Sequence, residues 1–483
     1  MPRERLSPLD ASFLYLDGEV ACNQGVGYNL VDGPISFDRV IEDMRRKVRY
    51  VDRLRQCAVF SPFNLFHPTW EFDPEFDIRN HVTHTVIEPA GDAAQFRDTI
   101  ARIFRTKLDR AHPLWAVHVI NGAPGGRAAY IVVIHHCVSD GIGFAKLAMA
   151  FYDADRELRL APYDPPREKH WPTPVMRIAH GLIDAIKAAP AAIVELCRGV
   201  SMLLHGLLRE QGAAARTMLR QYREASSIRF AFNAPLSGEA GFSFAKFRLE
   251  DISCIRAMLG GTLNDVLLAV VGAALHRYAV RHAINCEGRY LRVLVPSNVR
   301  TPETQNNFGN FVSMAPVLVP LGSMPARERL AAVSAYTKDM KDCGLARQVS
   351  LGIALSQRLL TPPVSYLAHR LFSSLWMQRR RAKSTRMPRF NLVVTNVPGS
   401  PEPSYVAGHE LRDVFVLVPL LASVGLCCGA LSHNGTLYVS FSGDKSTAPD
   451  VDVLSEYMVE AFAELMAEGP VAGAEKIVIA QAR

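Results

Sequence analysis

Residues 125–143 read GGRAAYIVVIHHCVSDGIG, and the rest of the chain is understood outward from them. Gly125 and Gly126 mark a turn. Ala128 to Ile134 is then an unbroken apolar run of strand length, the pattern of a strand buried on both faces. From Gly143 the apolar positions Leu147, Ala148, Phe151 and Tyr152 take up helical spacing. His135 and His136 therefore fall where a buried strand hands over to a helix, a place where rigid backbone holds polar groups at the edge of a core. Histidine titrates near neutrality, so a neutral ring there can take a proton from an alcohol attacking a carbonyl and return it to the leaving group. Asp140, followed by Gly141, would brace the loop. The plainer alternative is a structural pair, one ring donating to a backbone carbonyl.

On either side, helix and strand patterns alternate. Phe37 to Val51 and Ala93 to Leu108 carry apolar residues at helical spacing, with short strands between Trp70 and Ile87. Pro162 to Pro174 reads as a linker, and Val175 to Tyr222 as an interdomain helical segment with few acids and several Arg and Lys. A second α/β region begins near Ile228. Its clearest helix opens at Thr262-Leu263-Asn264-Asp265, a capping-box pattern. Val414 to Leu431 carries no charge and approaches the length of a membrane span, but Pro419, Ser423, Gly425 and Gly429 predict two buried strands with a short connection. The expected division is 1–160, a crossover at 161–227, and 228–483.

Composition sets outer limits. With 49% hydrophobic and 21% charged residues over 483 positions, the chain is a folded protein of more than one domain. A net charge of +7 without interleaved basic and aromatic residues argues against nucleic acid, and suits an anionic cosubstrate or an anionic membrane surface equally. The nine cysteines form no CxxC pair and no metal-ligand spacing, which predicts reduced thiols in a cytoplasmic protein and no metal. The first residues show no apolar signal segment. The GxSxG, GxxxxGK[ST], HExxH and GxGxxG patterns are missing, so covalent serine chemistry, phosphate loops and zinc hydrolysis lose their support.

Residues 108–120, LDRAHPLWAVHVI, together with 125–143 resemble the wax ester synthase/acyl-CoA:diacylglycerol acyltransferase family of bacteria, within the chloramphenicol-acetyltransferase-like superfamily and its HHxxxDG motif. Further elements match in order: RLSPLDASF at 5–13, PLW at 113–115, Asn264-Asp265, and NVPG at 396–399. The resemblance implies an α/β protein of two chloramphenicol-acetyltransferase-like domains with mixed sheets and an active-site tunnel between them. It makes His136 the general base and His135 a companion that shapes the loop. Asp140 becomes a structural salt-bridge partner closing the motif with Gly141. Asn264 and Asp265 would help build the site from the second domain; Asn264 orients a hydroxyl or oxyanion, or simply bonds at the helix start. Ser7, Pro8 and Asp10 are read as a cap, Trp115 as core, Asn396 and Gly399 as a turn, and Cys137 as packed.

The implied activity moves a long-chain acyl group from acyl-CoA to a lipid alcohol, diacylglycerol or a fatty alcohol, giving triacylglycerol or wax ester. Acyl-CoA is then a cosubstrate and no cofactor stays bound. The rivals are an enzyme of the same superfamily with a carrier-protein-bound donor, and a non-catalytic lipid-binding protein of the same fold. Arg379, Arg380 and Arg381, with Lys383, Arg386 and Arg389 close by, suit coenzyme A phosphates, but a solvated face or an anionic lipid surface together weigh more. The basic apolar helices also leave open a peripheral place on the inner face of the membrane or on lipid inclusions.

Overall fold

The computed structural model describes residues 4–18, 20–139 and most of 143–468; the exceptions in that last range are 158–174, 202–209, 299–308, 352–360 and 384–387, with scattered positions in 144–149 and 177–200 and at 347 and 350. Two six-stranded sheets organise the described chain. The first has the order β11-β12-β1-β6-β5-β4, from Tyr405–Val406, His409–Leu417, Gln24–Asp32, Arg127–His135, Trp115–Ala123 and Val82–Val86. The second runs β7-β14-β13-β10-β8-β9, from Ala240–Arg248, Thr436–Asp444, Leu426–His433, Leu392–Pro398, Tyr290–Asn298 and Val312–Pro320. Strands β2 (Gln56–Val59) and β3 (Thr69–Phe72) form a separate pair. Both large sheets are mixed: β4 is parallel to β5, and β10 is parallel to β8 and β13, among antiparallel neighbours.

The α-helices whose bounds are described are, in order, α1 Pro8–Leu16, α2 Phe37–Lys47, α3 Ala93–Arg105, α4 Glu210–Glu224, α5 Leu249–Leu259, α6 Leu263–Arg281, α7 Ala326–Asp342, α8 Pro362–Ser373, α9 Leu375–Ala382 and α10 Val453–Ala467. Alternate residues of the second sheet enter different cores, as the two-residue period of a strand requires. Val293, Val317, Val394, Cys428 and Val439 join the core built with α5, α6, α7 and α10. Leu294, Val393, Cys427 and Tyr438 meet the core of the first sheet instead. The second sheet is thus covered by helices on one face and by the first domain on the other.

Strands β11 and β12 lie beyond residue 400 yet complete the first sheet, β12 pairing with β1 from Val26↔Leu417 to Val31↔Leu411. The chain leaves the second sheet after β10, adds these strands to the first, and returns for β13. A division at residue 228 does not capture this exchange. The uncharged run 414–431 is indeed two buried strands, the end of β12 and most of β13. Among the described helices α6 is long and apolar enough to cross a membrane, but it is mostly buried in the second core. An all-round apolar helix of this kind is a core helix.

Candidate active site

The two motif histidines have different surroundings. Strand β1 pairs antiparallel with β6 up to Gln24↔His135, and the His136 N–H continues the ladder to the Asn23 carbonyl at 2.8 Å. The chain then turns, with the Val138 N–H on the His135 carbonyl at 3.0 Å. His135 is 3% exposed. Its Nδ1 accepts the Cys137 N–H at 3.1 Å, which places the ring proton on Nε2, 3.1 Å from Asp17 Oδ2. Both of its ring nitrogens are committed, so His135 shapes the loop. His136 is half-buried, its ring stacked on Phe13 with centroids 5.3 Å apart and planes at 25°. A Cβ at Gly25 of β1 would stand 4.0 Å from His136 Nε2, so glycine there keeps the space beside the ring open.

Helix α1 supplies three of the groups around this loop. Asp10, Phe13 and Asp17 recur at helical spacing, so one face of α1 and its C-cap turns toward the histidines. Asp17 accepts from Asn23 N–H at 2.9 Å, Asn23 Nδ2 at 3.0 Å and Arg110 at 3.0 Å as well as from His135. Burial alone would raise its pKa; the bonds from His135, Asn23 and Arg110 outweigh that and hold the carboxyl well below the usual range.

Asp10 does more than cap the helix. Ser7 accepts the Asp10 N–H as the N-cap, and Pro8 opens the helix, as expected. The Asp10 carboxylate also accepts from the Asn310 N–H at 2.8 Å, from Asn310 Nδ2 at 2.7 Å and from the Ser7 hydroxyl at 2.7 Å. Asn310 Nδ2 in turn donates to the His136 carbonyl at 2.6 Å, and Gly309 bridges to Ser139. The loop is thereby tied to the start of β9 in the other half of the chain. Burial raises the Asp10 pKa against the lowering effect of its bonds to Asn310 and Ser7.

Of the residues singled out from sequence, Asp140 and Gly141 lie outside the described residues. Asn264 is exposed and accepts from Asn396 Nδ2 at 2.8 Å, so the Asn-Asp and NVPG elements meet. Asn396 lies near the end of β10, which runs parallel to β8, and the end of β8 pairs with the start of β9 at Asn298↔Val312; the two asparagines therefore sit at the Asn310 end of the second sheet. Asp265 completes the capping box with Thr262 and accepts the Thr337 hydroxyl at 2.7 Å. Gly399 is required where it stands, since a Cβ there would lie 2.2 Å from the Ser432 carbonyl. Trp115 is core, its indole N–H donating to the Leu54 carbonyl at 2.8 Å. Burial pushes the Cys137 thiol well above its usual range, so it stays protonated and packed.

Arg379 and Arg380 are exposed on α9, Arg380 over Trp376 at 5.4 Å; the Arg381 side chain is outside the described set. No described contact joins them to His136. Among the described residues no three His, Cys, Asp or Glu side chains converge as metal ligands. Phe13, Asp17, Arg110 and Asn310 were missed from sequence. The spacing of 10, 13 and 17 beside the Ser-Pro helix start was a usable signal for α1, whereas Asn310 had none.

Two mixed sheets joined by an exchanged pair of strands, with a histidine loop at a strand end between them, give the two-domain α/β architecture that the sequence resemblance implied. The chain belongs to the wax ester synthase/diacylglycerol acyltransferase family: the profile of its catalytic domain matches residues 6–267 and that of the WS/DGAT C-terminal domain residues 308–466. One Mycobacterium tuberculosis protein, provisionally named diacylglycerol O-acyltransferase, is 26% identical over 470 residues, 96% of this chain and 90% of the relative. Another with that provisional name is 29% identical over 446 residues, 90% of this chain and 88% of the relative. The fold is that of the wax ester synthase/diacylglycerol acyltransferase from Marinobacter aquaeolei VT8, with a TM-score of 0.64 at 19% identity over 96% of this chain and 99% of that one. A starter condensation domain of rhizomide synthetase, solved in complex with C8-CoA, is similar at a TM-score of 0.56 and 14% identity over 96% and 95% of the chains.

Proposed function

We propose that this acyltransferase moves a long-chain acyl group from acyl-CoA to the hydroxyl of diacylglycerol or a fatty alcohol, with His136 as the general base. The observation that carries the assignment is the division of labour between the histidines: the His135 ring is committed to Asp17 and the Cys137 N–H, while His136 is fixed through both of its backbone groups. In the reaction His136 takes the hydroxyl proton as that oxygen attacks the thioester carbonyl. The C–S bond then breaks, and the proton passes to the departing sulfur to give the free thiol and the ester. No acyl-enzyme is needed, in keeping with the buried, protonated Cys137. The Asn264–Asn396 pair would orient the acceptor hydroxyl. The acceptor is a lipid, so the protein would work on the cytoplasmic surface of the membrane or on lipid inclusions.

Thiol release from palmitoyl-CoA with a panel of alcohols, and chromatography of the products, tests this reading. His136→Ala is expected to lose about 10²–10⁴-fold in rate with its fold intact. Near-wild-type turnover in that variant would remove the base, and preference for an acyl-carrier protein over acyl-CoA would replace the donor.

A further inference from the structure

A cleft of about 680 Å³ has as its floor the face of the second sheet that looks toward the first domain. Leu294 on β8 pairs with Pro316 on β9, and Pro296 pairs with Met314; Leu294, Pro316 and Met314 line the floor, with Phe390 and Leu219 of α4 beside them. Met314 follows Asn310 by four residues, so their Cα atoms are at most about 14 Å apart. Asn310 in turn touches the His136 carbonyl. One end of the cleft, at Met314, therefore lies in the neighbourhood of the histidine loop.

Three guanidinium groups stand in this apolar surround: Arg223, Arg292 and Arg389. Arg223 and Arg389 are exposed at its rim, whereas Arg292 is 7% exposed. Arg292 donates to the carbonyls of Pro388 at 3.1 Å, Arg223 at 2.9 Å and Ala225 at 3.2 Å, and lies over the Tyr222 ring at 5.3 Å. The Tyr222 hydroxyl donates to the Arg389 carbonyl at 2.6 Å. Arg292 thus clamps together the two segments that carry the other arginines. The plain reading is a buried arginine capping the C-terminal carbonyls of α4. That accounts for its Nη atoms but not for Nε, which is buried with no partner, nor for two more arginines on the same cleft. Among the described residues no carboxylate pairs with any of the three. A buried cation in an apolar wall without a counter-charge is costly, and an anion placed there relieves the cost.

We propose that this cleft holds the phosphate-bearing arm of the acyl thioester, with Arg223, Arg292 and Arg389 as its anion ligands, an inference that rests on acyl-CoA being the donor. Guanidinium forks match phosphate oxygens, and the apolar floor suits the uncharged linker that runs from the phosphates toward the thioester. The cleft is the alternative to Arg379 to Arg381 on α9 as the place for the phosphates.

The test compares two donors, palmitoyl-CoA and palmitoyl-N-acetylcysteamine, which carries the same thioester without phosphate. In wild type the ratio of their kcat/KM values reports phosphate recognition. In the double variant Arg223→Gln/Arg389→Gln this ratio is expected to fall about tenfold or more, through a higher KM for palmitoyl-CoA. The double lysine variant, which keeps both charges, is expected to retain most of the ratio. An unchanged ratio overturns the site, as does an equal loss with both donors, which marks a structural or acyl-chain role. A larger fall of the ratio in Arg379→Gln/Arg380→Gln overturns it by moving the phosphates to α9. Wild type that fails to turn over palmitoyl-CoA overturns the donor itself, whereas good turnover with an unchanged ratio removes this site alone.

Discussion

Asn310 reaches across from the second half of the chain to fix the backbone of His136, and this contact is where a single side chain should matter most without touching substrate. Asn310→Ala removes the bonds to the Asp10 carboxylate and to the His136 carbonyl. Losing a charge-assisted bond in a buried setting costs about 1.5–3 kcal/mol. We expect kcat to fall about ten- to hundredfold with the KM for acyl-CoA little changed; a purely structural role would lower Tm and leave kcat intact well below it. Asp17 makes a pH prediction. Its folded pKa is depressed, so its contribution is present above the unfolded value of about 3.9 and is lost only as pH falls through the folded one. The Tm gap between wild type and Asp17→Asn, of order 2 kcal/mol in stability, should hold steady from about pH 8 to pH 5 and narrow only below about pH 4. Narrowing between pH 7 and pH 5 would contradict the depressed carboxyl. The position of His136 was legible in the sequence because an unbroken apolar run announces a buried strand, and the histidine stands at its end. Asp17 and Asn310 were not, because their roles depend on bonds to residues 118 and 174 positions away.

Strand β6 and its partner β1 set the accuracy of the site at the level of elements. The run Ala128 to Ile134 forms a strand buried along its length, so His135 and His136 inherit a fixed direction from nine paired residues. Gly25 on β1 tests how much room His136 requires. An Ala Cβ would meet Nε2 at an ordinary contact distance of 4.0 Å, so Gly25→Ala should be tolerated. Gly25→Val adds γ-methyls with few rotamers to avoid the ring, and displacing it by an ångström should cost about a hundredfold in rate. Equal activity of the two variants would show that the ring does not depend on this space. Periodicity made β6, the Thr262 capping box and the strands within 414–431 readable, since each is encoded locally. The addition of β12 to β1 was unreadable, because partners almost 400 residues apart in sequence leave no local pattern.

On the scale of the whole molecule, an exposed apolar surface lies behind α1, the helix that packs against the histidine loop. Helix α8 packs one side on α1, where Tyr366 meets Tyr15 edge-on at 5.3 Å and Arg370 donates to the Asp17 carbonyl. Its other side exposes Val364, Leu367, Leu371 and Phe372, and Trp376 extends the stripe into α9 ahead of Arg379 and Arg380. The 62–64 turn touches α8 and presents Phe63, 87% exposed, while Gly181 sits against the Phe66 ring in a helical stretch that exposes Val175, Leu182, Ile183 and Ile186. Of the basic residues in the 175–222 segment, Arg177, Arg198 and Arg209 lie outside the described residues, and Lys187 is exposed. An apolar stripe beside exposed arginines suits lying in a lipid interface, and its contact with α1 would bring a lipid alcohol close to His136. Leu367→Gln/Leu371→Gln/Trp376→Gln should weaken binding to vesicles of phosphatidylglycerol and phosphatidylcholine at every salt concentration, by about 3 kcal/mol or roughly a hundredfold. Arg379→Gln/Arg380→Gln should weaken it mainly at low salt, because exposed charges are screened within about 10 Å at 0.1 M. Co-sedimentation across a salt series separates the two effects, and identical binding by all three proteins throughout would leave this face an ordinary solvated surface.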